Sequence, residues 1–330
     1  MKTKKNIFNY FVMISLLVFL FVSCKKRTEI ILVNTTDDIA TQTIIASDEF
    51  EVNYELDQTT NEAILASSIS TVTSGVTDTS NSSDILFTAI PDAVIDTNKI
   101  DKGIITITYY GKNLDKTRAR TGSIEIRHTL SSGKVVPWTT KEASMTLKYN
   151  QYEVVFLKVN NKSIVLDGTC TITNISGGLL KTLLPGDSLV DKVNAKLAFT
   201  NNDNNTVLQQ WIWNFSRHQV FKLNGTTIKA KLTGDTTINN ITNVSTWGIT
   251  RSNQPFCTSI ITPVFQNISG SSSLYVPLSG IKNIREIKEP IEVTYGVDQN
   301  GNFVGGQNPY GYKFKWVDES GITKGALVNY

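Results

Sequence analysis

From about residue 85 to the C-terminus the chain keeps one pattern. Short runs alternate apolar and polar residues, and Asn, Gly and Ser interrupt them every ten residues or so. Residues 103–111 show it clearly. Ile105, Ile107 and Tyr109 fall on one phase and Ile104, Thr106 and Thr108 on the other, with Gly103 and Gly111 at the ends. A period of two sends successive side chains to opposite faces of a strand, so a chain that sustains it must build sheet with a buried face. Further runs start near residues 123, 145, 152, 163, 195, 208, 219, 227, 247, 257, 273, 291 and 312. Asn160-Asn161, Asn224-Gly225 and Asn300-Gly301 read as hairpin turns, the second as a type I′ dipeptide. The pattern predicts an all-β body over residues 85–330, as one large antiparallel sheet or a β-sandwich-like body. A loose echo between residues 152–174 and 217–240 splits it into two related units, about 85–200 and 201–330.

Residues 37–84 differ. Asp48, Glu49, Glu51, Glu55, Asp57 and Glu62 make the first part acidic, and Ile44, Ile45, Phe50, Tyr54, Ala63 and Ile64 are spaced loosely like a helix face. One or two helices starting near Ser47 are expected, with a strand over residues 50–56 as the alternative. The Ser/Thr-rich stretch 67–84 reads as a linker. Together these residues form a short helical or extended segment, a spacer ahead of the β body.

The first 23 residues decide the expected compartment. Lys2, Lys4 and Lys5 precede an almost wholly apolar run from Phe11 to Val22. A run of about a dozen residues suits a secretory leader and is shorter than the ~20 a membrane-spanning helix needs. It ends in Phe21-Val22-Ser23-Cys24, which resembles a bacterial lipobox with Phe where Leu is usual. That resemblance implies cleavage before Cys24, a lipid on Cys24, and a tether over residues 24–36. Removing the leader, with its three lysines and no acid, takes the formal charge from +3 to zero. No global basic field remains to attract nucleic acid. With Cys24 acylated, Cys170 and Cys257 are left, as a disulfide or as two buried thiols.

Residues 120–126 (RTGSIEI), the strand from Tyr152 through Phe156 to Asn161, and residues 166–174 (LDGTCTITN) resemble a group of uncharacterised β-rich lipoproteins of Bacteroidetes-type bacteria. Gly248 to Arg251 and Cys257 extend the likeness, which spans about residues 100–265. It implies a lipid-anchored envelope protein and no particular chemistry. In such lipoproteins Lys25, Lys26 and Arg27 beside the anchor imply the periplasmic face of the outer membrane.

Catalytic signatures are sparse. His128 and His218 each follow an Arg, which disfavours the imidazolium, and neither sits in a nucleophile or metal motif. Asp298, Asn300 and Asn302 alternate like a Ca²⁺ loop, but Phe303 and Pro309 stand where that loop needs Gly and Glu. Residues 202–205 (NDNN) read as a turn in the same way. No cofactor or metal is expected. Trp211 and Trp213, two apart with Phe215 continuing their phase, are either a buried stripe or an exposed platform for a sugar ring. Three readings follow. The first is a non-enzymatic envelope lipoprotein, structural or interacting with a glycan or envelope protein. The second is a carbohydrate- or ligand-binding lipoprotein using Trp211 and Trp213. The third is a hydrolase with a dispersed carboxylate pair.

Overall fold

The computed structural model describes residues 31–32, 41–75, 90, 92–112, 117–157, 162–201, 210–268, 276–306 and 308–330. The leader, Cys24, the linker over 76–89, the Asn160-Asn161 turn and the turn at 202–205 lie outside the described residues.

The strands are β1 (Ile31–Leu32), β2 (Ala93–Asp96), β3 (Ile104–Lys112), β4 (Arg118–His128), β5 (Leu130–Ser131), β6 (Lys134–Val135), β7 (Ala143–Phe156), β8 (Lys162–Asn174) and β9 (Leu189–Asn201). They continue with β10 (Gln210–Asn224), β11 (Thr227–Gly234), β12 (Thr236–Ile238), β13 (Ile241–Ile249), β14 (Pro255–Ile268), β15 (Pro277–Arg285), β16 (Ile291–Val297), β17 (Gly311–Val317) and β18 (Thr323–Asn329). Sixteen of them form one sheet, in the order β1-β18-β17-β16-β15-β14-β11-β10-β9-β8-β7-β4-β3-β2. β13 pairs with β10 and β14 off this path, and β12 pairs with β13. β5 and β6 form a separate ribbon.

Of the two arrangements expected, the single large antiparallel sheet is the one formed. Its only parallel pair among the described residues is β1 with β18. The expected alternation is met where it is clearest: Ile105, Ile107 and Tyr109 of β3 are buried while Thr108 is exposed. Sheet pairing runs straight through the proposed boundary near residue 200, because β9 and β10 pair from Leu189↔Phe221 to Thr200↔Gln210. The two runs expected at 208–215 and 219–223 are one strand, β10. The turn after it is centred one residue later than expected. Asn224 pairs with Thr227, and Gly225 (φ 62°) takes the first central position, which type II′ turns reserve for glycine.

The sheet's inner face packs on a helix instead of a second sheet. Helix α1 (Thr41–Ser67) is one 27-residue element, about 40 Å long at 1.5 Å per residue, and it starts six residues before Ser47. No strand forms over residues 50–56. Most of α1 is buried, including Asp48, Glu49, Glu51, Glu55, Asp57 and Glu62. It touches strands spread across the sheet order: Tyr109 of β3, Tyr152 of β7, Arg217 of β10, Gln266 of β14, Lys282 of β15 and Tyr312 of β17. The sheet therefore curls around the helix. The acidic segment is thus the axis of the body, which corrects the expectation of a spacer. The start of the Ser/Thr-rich stretch is also packed: a short helix, α2 (Thr71–Ser74), is capped by Ser70, and Thr73 O accepts from Trp138 N at 2.6 Å.

Curling needs bends in the long strands. Gly122 of β4 has φ 86° and faces Gln151 of β7 where the register shifts. A Cβ there would lie 2.1 Å from Gln151 O. Gly168 of β8 (φ 121°) is as tight, at 2.3 Å from Lys196 O. A shift that inserts an extra residue bends a strand and raises its twist, and glycine lets the backbone do so without a clash. These are the glycines of the RTGSIEI and LDGTCTITN stretches, so those motifs encode sheet curvature.

Candidate functional site

Helix α1 carries six acidic side chains and no Lys or Arg. A helix polar on all sides is normally solvated. Here the surrounding sheet supplies a cation to each acid. At the N-terminal end, Arg251 donates to Asp48 through Nε at 2.6 Å and Nη2 at 2.5 Å. Lys282 Nζ lies 3.0 Å from Glu49 Oε1, and Lys162 Nζ 2.9 Å from Glu51 Oε2. Midway, Arg118 Nη1 donates to Glu55 Oε1 at 2.7 Å, and Tyr152 Oη donates to Glu55 Oε2 at 2.8 Å. Arg217 pairs with Asp57, whose other oxygen accepts from Gln266 Nε2 at 2.8 Å. Near the C-terminal end, Arg120 bridges Glu62 at 2.8 Å and Asp92 at 2.5 Å, and Tyr109 Oη donates to Glu62 at 2.5 Å.

The environment tunes these groups. Burial pushes the Glu51 carboxyl up, against the opposing pull of Lys162. Burial also raises the Tyr109 and Tyr152 phenols well above their usual range. For Arg118, burial favours the neutral form most strongly, but the Glu55 carboxylate together with Tyr54 and Tyr152 outweighs it, and the guanidinium is held more firmly protonated than usual. The ladder is a set of locked ion pairs connecting α1 to β4, β8, β10, β15 and the β13–β14 turn.

One end of the helix meets an aromatic seam. Phe50 stacks on Tyr312 with ring centroids 4.5 Å apart, and on Tyr54 at 5.7 Å and Tyr330 at 6.0 Å. The Arg118 guanidinium lies 4.7 Å from the Tyr54 ring centroid, within cation–π range. A mainly apolar cavity of about 250 Å³ opens here between α1, the ends of β4 and β7, and the β17–β18 hairpin. β7 and β18 are far apart in the sheet order, so the cavity marks where the curled sheet faces itself. Among the described residues, Glu51 is the one carboxyl side chain lining it. A second, small cavity of about 20 Å³, room for one water, lies between α1 and β10–β16 beside Asn53, Asp57 and Lys282.

The residues singled out from the sequence fall elsewhere. Trp211 and Trp213 are 8 % and 1 % exposed. Trp213 sits edge-on to Phe199 and Phe256, and its Nε1 donates to Ile249 O at 2.9 Å. Arg251 covers Trp211 at 5.5 Å. Both indoles are core, so the exposed-platform reading of Trp211 and Trp213 is corrected: their phase of β10 is the one that faces α1. Cys170 and Cys257 are buried free thiols, and burial pushes Cys170 up to about 12. His128 is buried, its Nε2 3.0 Å from Ser67 Oγ, and desolvation lowers it to about 4. Ser67 Oγ donates to Ala63 O at 2.8 Å, so this pair sits inside the helix–sheet contact. His218 is half-exposed and faces Asp235 at 3.3 Å. Asp298 accepts from the backbone N–H of Asn300 and Asn302, both at 2.8 Å, as a turn residue does. Among the described residues no group of three or more His, Cys, Asp or Glu is placed to hold a metal ion. None of their helices is long and apolar enough to cross a membrane.

Sequence reasoning missed Arg118, Arg120, Arg217 and Lys282. The signal was present: each occupies the apolar phase of its strand, alongside Ile124 and Ile126 on β4, Trp213 and Phe215 on β10, and Ile284 on β15. A cation in a buried phase requires a buried anion. No family model, curated protein or solved structure matches the chain.

Proposed function

We propose that this chain is a non-enzymatic, lipid-anchored protein of the bacterial cell envelope that works by presenting a rigid body to a glycan or envelope protein. The anchor rests on Cys24 and its leader. The body's role rests on one observation, the ion-pair ladder. The six carboxylates of α1 are each matched to a cation and hold the helix in the sheet, which is a scaffold's use of charge. A hydrolytic reading calls for two carboxyl groups facing one cleft. Among the described residues, one carboxyl side chain lines the seam cavity (Glu51) and one lines the small cavity beside Asn53 (Asp57), so neither offers such a pair. The ligand-binding alternative moves from Trp211 and Trp213 to the seam cavity beside Phe50, Tyr312 and Tyr330.

Fractionation of cells expressing the full chain tests the anchor. Wild-type protein should pellet with membranes, and Cys24→Ala should accumulate as uncleaved precursor or soluble protein. A wholly soluble wild type overturns the anchor. Incubating the purified chain with an envelope-glycan array tests the rest: bound glycans are expected to remain intact, and cleavage products would overturn the non-enzymatic reading.

A further inference from the structure

The outward face of the sheet carries a charge arrangement opposite to that of the interior. Lys222 of β10 lies directly across from Lys229 of β11, and Val220 across from Lys231. Phe265 of β14 continues the second row beside Lys231. Residues directly opposite on an antiparallel pair have Cβ atoms roughly 5 Å apart, and residues two apart on a strand are roughly 7 Å apart. The Cβ atoms of the three lysines therefore form one small triangle. Like charges directly opposite destabilise a sheet. Among the described residues none of the three has an acidic partner, while Lys192 and His218, further along the same face, converge on Asp235. The lysines border a groove of about 370 Å³ with Val220, Leu223, Asn224 and Phe265, and among the described residues no acidic one lines it.

We propose that this groove binds an acidic polysaccharide, with carboxylate or sulfate groups on the lysines and sugar-ring faces on Phe265 and Val220. Charge complementarity selects an anion, since the chain without its leader has no net charge to explain a local cluster of unpaired cations. The concave, part-apolar floor selects a chain of sugar rings over a flat bilayer, because rings with an apolar face can lie on an aromatic side chain while their charged groups reach the rim. The inference narrows the partner class proposed above. It rests on the body being an interaction module and is independent of the lipid, since binding can be measured on purified protein in detergent.

The test is binding of the purified full chain to polygalacturonate, dextran sulfate, neutral dextran, and vesicles with and without anionic phospholipid. Wild-type protein should bind both acidic polymers and leave neutral dextran unbound. The triple variant Lys222→Gln/Lys229→Gln/Lys231→Gln should lose at least tenfold in affinity. Added salt should weaken the wild type far more than the variant, because screening removes the contribution of exposed charges. A control triple at remote lysines, Lys102→Gln/Lys134→Gln/Lys148→Gln, should bind like the wild type. Equal losses in both triples would reduce the effect to net charge and overturn the site. Preference for anionic vesicles over both polymers would overturn the ligand class. All three groove lysines are on the outer face, so melting curves should show the variant folded; Lys229→Gln alone, with an intermediate loss, serves if the triple does not express. Failure of these arms leaves the interaction-module reading standing, whereas glycan cleavage would remove that reading.

Discussion

Charge is used in two opposite ways on the two faces of the same sheet. On the inner face Arg118, Arg120, Arg217 and Lys282 each meet a carboxylate of α1 or, for Arg120, also Asp92. On the outer face Lys222, Lys229 and Lys231 meet one another across β10 and β11. The inner cations sit where water is excluded, so an unmatched charge there would be costly and the pairs must be complete. The outer cations are solvated, so repulsion among them is cheap enough to persist. Matched charge inside explains the fold. The unmatched lysines outside have no acidic partner among the described residues, and they are the charges that the proposed acidic ligand would meet.

The largest break in this comparison is to unmatch the inside. Glu55→Ala leaves Arg118 buried with its principal anion gone and removes the acceptor of Tyr152 Oη. Losing one partner of a buried pair costs about 3–5 kcal/mol, a large part of the stability of a typical domain. Urea unfolding should show a midpoint lowered to match, or loss of soluble protein. Glu55→Leu combined with Arg118→Met should recover most of that loss, because an apolar replacement of both partners removes two desolvation costs at once. A double variant as unstable as Glu55→Ala would mean that the ladder's hydrogen bonds, not its charge balance, hold the helix.

These residues also show how far the sequence could be read. Alternation in β3, β4, β7, β8 and β10 gave the antiparallel sheet, since burying one face imposes a period of two that is visible locally. β18 shows little alternation in sequence, since polar Thr323 and Lys324 and Gly325 precede the short run Ala326-Leu327-Val328, and β2 is too short, at four residues, to show a period. Helix α1 was harder. Its acidic residues face every direction, so no apolar stripe separates core from solvent, and its partners lie on strands up to 233 positions away, as for Lys282 and Glu49. Trp211 and Trp213 could not be placed because a stripe of aromatics reads the same whether it faces a helix or a ligand. The groove lysines were plain in the sequence as residues, but only the register sets Lys222 opposite Lys229.

Asp191 is the interior's exception. It is buried on β9, opposite Gln219 and Asn174, and has no cation partner among the described residues. Burial alone pushes its carboxyl up to about 8. Between about pH 4 and 8 the folded chain keeps a proton there that the unfolded chain releases, so this group makes stability fall as pH rises through that window. The slope is bounded by about 1.4 kcal/mol per pH unit. His128, lowered to about 4, acts in the opposite sense: its contribution is lost as pH falls from about 6.5 to 4. Comparing wild type with Asp191→Asn at each pH cancels the histidine. The two should melt together below pH 4, and the variant should gain up to about 4 kcal/mol by pH 7. Identical pH profiles would show that the carboxyl is ionised and matched after all, making the interior uniform.

The smallest effect is the most direct test of the outer face. Lys222→Glu turns the like-charged pair with Lys229 into an opposite-charged one at the same register. Cross-strand charge pairs contribute about 0.2–1 kcal/mol, so the variant should be slightly more stable, with a melting temperature raised by about 1–2 °C for a chain of this size. The gain should vanish at 1 M salt, where screening acts within about 3 Å. The variant should at the same time lose affinity for polygalacturonate. More stability with less binding is the signature of charge retained for a partner at the fold's expense. If Lys222→Glu left both unchanged, the lysines would be ordinary solvated side chains, and the contrast between the two faces would be one of solvent access alone.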